Sequence, residues 1–321
     1  MPRQQPIAVY YEHPVWFERV FAELDRRKMA YVKVNAASHY YDPHYDPLAN
    51  GHEKFALVFN RMSPSAWNRG RADNIFYTLN YLSHLEQQGT RVVNGSQAFR
   101  FEISKALQLS LLQSLGLLYP RSRVIHRVSE APAAAAGFRF PVVVKPNIGG
   151  SGAGIVRFDT AAQLESAAAK GIHLGLDSTA LVQEFIPAKD GHIVRVETLA
   201  YRYLYGIKVF TSGETFDLCP ADICKASDGT ELNTSCVIEG PKSGLRVEAY
   251  RPPASVIADV ERIFAATKIE VGGVEYIIDA RDGRLYYYDI NALSNFVADG
   301  PALLGFDPFV RLVDYLEQEA A

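Results

Sequence analysis

The chain has 321 residues, 48% hydrophobic and 21% charged, which at roughly 150 residues per domain implies about two domains with ample core. A net charge of -3 from 33 basic and 36 acidic residues excludes the electrostatic footprint expected of a nucleic-acid or anionic-membrane binder. Three cysteines (Cys219, Cys224, Cys236), no apolar leader and no membrane-length window lead us to expect a soluble cytoplasmic protein without a disulfide framework.

The first hundred residues alternate strand and helix signals. Ile7 to Tyr11 is a short β-rich run, and Trp16, Val20, Phe21 and Leu24 follow at helical spacing up to Met29. Tyr31 to Val34 and Phe55 to Phe59 read as buried strands, Tyr77 to Leu85 as a helix stopped by Gly89, and Arg91 to Val93 as a strand. That rhythm predicts a small parallel sheet flanked by helices. Between its second and third strands lies HYYDPHYDPLANGHEK, whose turn chemistry marks a long loop with His39, His44 and His52 as solvated side chains.

Glu102 to Leu115 reads as one helix, its stripe formed by Ile103, Ala106, Leu107, Leu109, Leu112 and Leu115 and its stop by Gly116. Ser122 to Ile125 and Pro141 to Lys145 are strands, and the loop Asn147 to Gly154 joins the second of these to Ile155 to Phe158 as a hairpin. A helix from Ala161 to Lys170 and a strand from Ala180 to Ile186 follow. Ile193 to Thr211 reads as one long β run, 212 to 244 as irregular, and Ser255 to Lys268 as helix. Gly273 to Ala280 then pairs with Leu285 to Ala292 across the Asp282-Gly283 turn. The second half is therefore antiparallel β with helices.

PVVVKPNIGGSGAGIVRF carries the most chemistry. A strand delivers Lys145, and Gly149, Gly150, Gly152 and Gly154, with Ser151 among them, let backbone amides approach an anion without Cβ obstruction. The spacing excludes a Walker loop, which needs its lysine after the glycines, and the dinucleotide fingerprint GxGxxG, which runs from strand to helix. A protein kinase would need HRD and DFG, which are missing. The other reading of the glycines alone is a β-hairpin turn with a surface lysine.

A second constellation is GGVEYIIDARDGRLYYYDINALSNF. Asp289 and Asn291, two apart on one strand, share a face, and Glu275 can meet them from the partner strand. Two carboxylates and an amide oxygen form the all-oxygen set magnesium prefers. A solvated acidic strand face is the alternative, but the run Leu285 to Tyr288 ahead of Asp289 favours a partly buried carboxylate that needs a partner. Third, in ALVQEFIP, Gln183, Glu184, Phe185 and Ile186 can offer a strand edge, a carboxylate and apolar walls to an adenine ring.

Taken in order, these residues resemble the ATP-grasp superfamily, and within it the RimK-like amino-acid and peptide ligases. The resemblance rests on Lys105 in EISKALQLSLLQSLGLLYPRSRVI, Lys145 with the glycine loop, Gln183-Glu184-Phe185, Arg195 in GHIVRVETL, then Glu275, Asp289 and Asn291, and runs from about residue 55 to the end. The family metal signature more often reads Asp and then Glu-x-Asn-x-x-Pro-Gly; here the acids are exchanged and Ala292-Leu293-Ser294-Asn295 replaces the tail. The segment Asp217 to Cys236 matches nothing in the family pattern.

The resemblance implies an α/β (α+β) ATP-grasp fold: a pre-ATP-grasp parallel-sheet domain over 1–101, a small α+β lobe with its hinge over 102–186 and a larger antiparallel-sheet lobe over 187–321. It implies that Lys105 and Lys145 hold ATP phosphates under the glycine loop, that Gln183 to Ile186 hold adenine, and that Glu275, Asp289 and Asn291 hold magnesium or manganese. It further implies that a substrate carboxylate attacks the γ-phosphate and that an amine displaces phosphate from the acyl-phosphate. Arg195 would clamp that acyl-phosphate, and Arg61 in LVFNRMSPSAW would anchor the incoming carboxylate or serve as an exposed structural arginine. The partners implied are ATP and a small-molecule or peptide substrate, with no nucleic acid and no membrane, and a homo-oligomer is compatible. A phosphotransferase and a non-catalytic ATP-binding module are the competing readings. Arg69 and Arg71 beside Trp67 suit either an acidic peptide or phosphate, or a plain surface loop.

Overall fold

A computed structural model describes residues 5–13, 15–44, 54–150, 152–210, 246–297 and 299–321. Ser151, His52 and the segment Asp217 to Cys236 with its three cysteines lie outside the described residues. Among the described residues no helix is long and apolar enough to cross a membrane.

The opening βαβ rhythm forms as the sequence predicts. Strands β1 (Ile7–Tyr11), β2 (Tyr31–Asn35), β3 (Leu57–Arg61) and β4 (Val92–Val93) make a parallel sheet in the order β2-β1-β3-β4. Helix α1 (Glu18–Arg26) links the first two strands, and α2 (Asp73–Gln87) enters β4. Trp16, Val20, Phe21 and Leu24, the residues of the first apolar stripe, are all buried, so the helical spacing marks the core-facing side. His39 is not solvated. Its Nδ1 lies 3.0 Å from the Tyr77 hydroxyl and its ring 4.3 Å from that of Tyr81, so burial holds its pKa below the usual value.

The single helix expected over Glu102 to Leu115 is two. Helix α3 (Ser96–Glu102) ends at Ile103, and α4 (Lys105–Ser114) begins after Ser104, whose backbone is extended and whose Oγ accepts the Leu107 N–H at 3.3 Å. The apolar stripe runs across this break because both helices face the same core, so periodicity cannot see it; Leu107, counted in the stripe, is exposed. Next come β5 (Ser122–Ile125), α5 (Ala131–Ala134), β6 (Val142–Pro146), β7 (Val156–Phe158), α6 (Ala161–Lys170) and β8 (Ala180–Glu184). The four strands form an antiparallel sheet in the order β5-β8-β6-β7, and β6 and β7 are the hairpin expected around the glycine loop.

The β run expected over Ile193 to Thr211 is a hairpin of β9 (His192–Leu199) and β10 (Arg202–Phe210). Ala200 and Tyr201 turn it with φ of 51° and 63°, and neither residue type announces a left-handed conformation. Beyond lie β11 (Val247–Ala249), α7 (Ala254–Thr267), β12 (Val271–Ile278) and β13 (Leu285–Asn291), completing an antiparallel sheet in the order β11-β10-β9-β12-β13. Two further helices, α8 (Gly300–Leu304) and α9 (Pro308–Glu319), return the chain to its start. Leu312, Val313 and Leu316 of α9 share a core with Phe17, Phe21 and Leu24, and Arg27 pairs with Asp314 at 2.7 Å and Glu317 at 3.0 Å.

One buried amide fixes the first sheet to the third. Asn94, just past β4, donates from Nδ2 to the carbonyls of Val271 at 2.7 Å and Ala292 at 2.6 Å, and accepts at Oδ1 from the N–H groups of Glu270 and Val271. Its own carbonyl accepts from Asn60 of β3 at 3.0 Å. The start of β12 and the end of β13 are thereby held against β3, at the place where the acidic hairpin meets Arg61.

Candidate active site

Three elements far apart in sequence converge on the end of the β12–β13 hairpin. The glycine loop leaves β6 at Pro146, and Asn147 turns its side chain onto the start of α4. Its Oδ1 accepts from the Ala106 N–H at 2.9 Å and the Ser104 hydroxyl at 3.2 Å, while its Nδ2 donates to Asp177 at 2.6 Å. The loop and the N-terminus of α4 are thus fixed as one unit, with Lys105 at the first helical position. Gly154 has a φ of 76°, and a Cβ there would lie 2.8 Å from Pro146. Gly150 packs still closer, since a Cβ would lie 2.6 Å from the Cβ of Ser65 and 2.9 Å from its backbone. That contact seats the loop on the 3-10 turn Pro64–Arg69 that follows β3.

On the hairpin the register sets Glu275 opposite Asp289 and Gly273 opposite Asn291, so the three expected oxygen donors do share one face. Arg195 of β9 stands opposite Glu275 on the other side. Lys105 forms an ion pair with Asp289 through Nζ and Oδ1, and the Asn291 amide donates to Asp289 Oδ2 at 3.2 Å. Burial pulls the Lys105 pKa down, but the Asp289 charge outweighs it and holds the ammonium above its usual range. Conversely, burial raises Asp289, and Lys105 and then Lys145 bring it below the ordinary carboxylate value.

The side chain of Lys145, buried at the end of β6, has no hydrogen bond or ion pair among the described residues. Desolvation first, and then the neighbouring Lys105 charge, push it down to about 7. Glu275 is pushed up by burial; Arg195 opposes this and Asp289 adds to it. Its Oε1 accepts from Arg195 at 3.1 Å and its Oε2 from the Tyr288 hydroxyl at 2.7 Å. Among the described residues no group of three or more His, Cys, Asp or Glu side chains is placed to hold a metal ion. What is present is two opposed carboxylates and an amide, all oxygen donors. That set fits a magnesium ion, which takes one or two carboxylates and completes its shell with water and phosphate oxygens.

Arg195 is held on every side. Its Nε donates to Glu197 Oε1 at 2.5 Å, Nη1 to Glu275, and Nη2 to the Ser294 hydroxyl at 3.2 Å. Arg61 reaches the same serine from the first sheet, donating from Nη2 to the Ser294 carbonyl at 2.5 Å and to Asn295 Oδ1 at 3.4 Å. It is 3% exposed, lies between the rings of Phe17 and Phe59, and burial brings it down to about 10. Arg61 thus grips the segment after the acidic strand and is buried rather than exposed, and its Nε and Nη1 have no hydrogen-bond partner among the described residues. Glu102 lies there too, accepting the N–H groups of Ala292 and Leu293, and desolvation pushes its carboxyl up to about 7.

The third stretch lies along the neighbouring sheet. Gln183 is buried and donates to Ser122 at 2.7 Å; Glu184 accepts the Arg139 N–H at 2.9 Å; Phe185 lies 4.8 Å from the Arg157 guanidinium; Ile186 is buried. Lys105, Lys145, Gly149, Gly150, Arg195, Glu275, Asp289 and Asn291 come together in one cluster, and Gln183 to Ile186 continue from β8 beside it. Sequence reading missed Glu197, Ser294, Tyr288, Glu102 and Asn147. Glu197 could have been found, because it sits two residues from Arg195 on the same strand and so shares its face; the others depend on long-range packing.

No family model matches the chain. The D-alanine--D-alanine ligase of Cupriavidus necator is 26% identical over 201 residues, covering 58% of each chain. The matched spans thus cover 58% of that relative and 13% of another curated one. The ATP-grasp ligase PsnB, solved with a phosphomimetic variant of its minimal precursor, Mg and ADP, superposes with a TM-score of 0.68 at 17% identity, covering 99% of this chain and 100% of that one. A RimK-domain ATP-grasp protein from Sphaerobacter thermophilus gives a TM-score of 0.65 at 19% identity over 97% and 98% of the two chains. The fold is ATP-grasp.

Proposed function

We propose, proceeding from that fold, that the protein is an ADP-forming ligase that joins a carboxylate to an amine through an acyl-phosphate. The observation that carries the reading is the convergence of Lys105 and Lys145, from a helix and a strand 40 residues apart, on two opposed carboxylates beneath a glycine loop. The similarity to D-alanine--D-alanine ligase supports ligation as the outcome. In this reading residues 1–101, 102–186 and 187–321 are the three units of the enzyme, and it works in a reducing cytoplasm, in keeping with its sparse cysteines.

Lys145 supplies the positive charge that meets a phosphate, because its side chain has no hydrogen bond or ion pair of its own among the described residues. The glycine-loop amides close over the same phosphates, and Ser151, among them, belongs to that loop. Glu275, Asp289 and Asn291 would hold magnesium, which supplies charge neutralisation for the β- and γ-phosphates when bound. Gln183, Glu184, Phe185 and Ile186 bind the adenine. Arg195, pinned by Glu197, Glu275 and Ser294, presents a preorganised guanidinium to the transferring group, so little reorganisation is needed as charge develops. Exclusion of water by the loop seated on Ser65 protects an acyl-phosphate from hydrolysis.

The test is purified protein with ATP, magnesium, and pooled acids and amines. ADP and phosphate released only when both pools are present supports ligation. A stable phosphorylated product without amine makes the protein a phosphotransferase, nucleotide binding without turnover makes it a binding module, and AMP release overturns the phosphoryl-transfer reading.

A further inference from the structure

The strand that carries Asp289 and Asn291 is the last in its sheet, whose order runs β11-β10-β9-β12-β13. Its outer edge is nonetheless closed by groups from outside the sheet. The Tyr287 N–H donates to the Leu118 carbonyl at 2.9 Å, and Glu102 of α3 accepts the N–H groups of Ala292 and Leu293. Between these two contacts stands Gln108 of α4, which is 3% exposed. Its Oε1 accepts the Ile290 N–H at 3.2 Å and its Nε2 donates to the Ile290 carbonyl at 2.8 Å. One side chain thus pairs with both backbone groups of a residue, as a neighbouring strand would. The same Nε2 also donates to the Phe101 carbonyl at 2.8 Å, which ties the amide to the end of α3.

Ile290 is the residue between Asp289 and Asn291. Its own side chain is buried in the core under the sheet, while alternation turns theirs to the opposite face. Its N–H belongs to the peptide shared with Asp289 and its carbonyl to the peptide shared with Asn291, so holding both fixes the backbone from which the two donors project. Just upstream the register slips: Glu275 pairs with Asp289 but Tyr276 with Tyr287, which leaves Tyr288 as a bulge. A bulge re-aims the strand locally, so the residues that follow it gain most from an external hold. Gln108 also lies three residues after Lys105, on the same helix face. Lys105 pairs with the Asp289 carboxylate and Gln108 with the backbone one residue on, so one turn of α4 sets ammonium, carboxylate and amide relative to one another.

We propose that Gln108 is a positioning residue for the oxygen donors of the hairpin. By clamping both peptides of Ile290 it sets the separation of the Asp289 carboxylate and the Asn291 amide, and with it the strength of magnesium binding beside a nucleotide. This rests on the reading of Glu275, Asp289 and Asn291 as the magnesium donors. Removing a group that orients metal ligands from behind typically costs about 10–100-fold in metal affinity. Gln108 does so through the strand backbone, since its hydrogen bonds go to Phe101 and Ile290 and not to a donor side chain.

Calorimetry of ADP binding to the full chain, once with magnesium and once with EDTA, separates this role from plain packing. The wild type is expected to bind ADP more tightly with magnesium. Gln108→Met has similar length without the amide, and Gln108→Asn keeps the amide one methylene short of Ile290. Both are expected to bind ADP in EDTA within about twofold of wild type and to cut the magnesium enhancement by about tenfold. A thermal melt of each variant reports on the fold, and Gln108→Asn, which keeps a polar group on α4, serves where the apolar variant does not melt cooperatively. Wild-type magnesium enhancement in the variants, with a lowered melting temperature as their only change, makes Gln108 a packing residue and overturns the proposal while leaving the magnesium reading standing. Equal weakening of ADP with and without magnesium overturns it too, because the damage is then not at the metal donors. Absence of any magnesium enhancement in the wild type removes the magnesium reading itself, and the proposal with it.

Discussion

Lys105 and Lys145 are the same residue type, lie within electrostatic reach of each other, and are in opposite states. Lys105, at the N-terminus of α4, is locked onto Asp289, and its charge is already balanced. Lys145, at the end of β6, is buried without a side-chain partner among the described residues, and desolvation with the Lys105 charge leaves it at about 7. A buried ammonium without a counter-ion is costly, so the fold tolerates one only where an anion can arrive or the proton can leave. The contrast teaches which lysine organises the site and which one waits for the ligand.

The largest effect should come from removing the waiting charge. Lys145→Ala is expected to lower kcat/KM for ATP by about 10²–10³, the scale of losing one preorganised charge contact, with the melting temperature unchanged or raised. ADP release and a thermal melt check both halves; ordinary turnover in the folded variant would break the comparison. Lys105→Met should do the reverse in stability. It strands the buried Asp289 carboxylate, and unfolding free energy at pH 7 should fall by about 3 kcal/mol in a urea titration.

A pH titration sharpens the contrast without mutation. A triphosphate favours protonated Lys145, so nucleotide affinity should fall by up to about tenfold per unit as pH rises above 7, with a proton taken up on binding at pH 8. Calorimetry in two buffers of different ionisation enthalpy measures that uptake. Without nucleotide the sign is opposite: the folded pKa of about 7 lies below the ordinary 10.5, and the unfolded chain binds more protons. This group's contribution to stability therefore rises from pH 7 toward 10.5. The smallest expected effect is Ser104→Ala, which removes the cap of the helix that carries Lys105. A loss of about 1 kcal/mol in a denaturant titration is expected, with Lys145 chemistry untouched.

Much of this was legible from residue order. The parallel opening sheet, the hairpin around the glycine loop and the face shared by Glu275, Asp289 and Asn291 follow from strand alternation and turn chemistry, which act within a few residues. Where two elements share one apolar face, or a turn uses residues that do not announce it, the same rules fail. The break at Ile103 and Ser104 and the Ala200-Tyr201 turn are the two cases. Arg61 shows the limit most clearly: its place in the chain left a substrate anchor and an exposed structural arginine open, and packing against Phe17 and Phe59 buries it on the Ser294 carbonyl.

What the order of residues determined by itself is the set of parts: a lysine at a strand end, glycines after it, an arginine strand and a paired acidic hairpin. Which lysine is neutralised, what holds each buried arginine and which carboxylate meets which cation were decided only when the three sheets packed. Those relations join residues as far apart as Lys105 and Asp289, separated by 184 positions. Charge and desolvation depend on distance and burial in space, and no spacing along the chain encodes either.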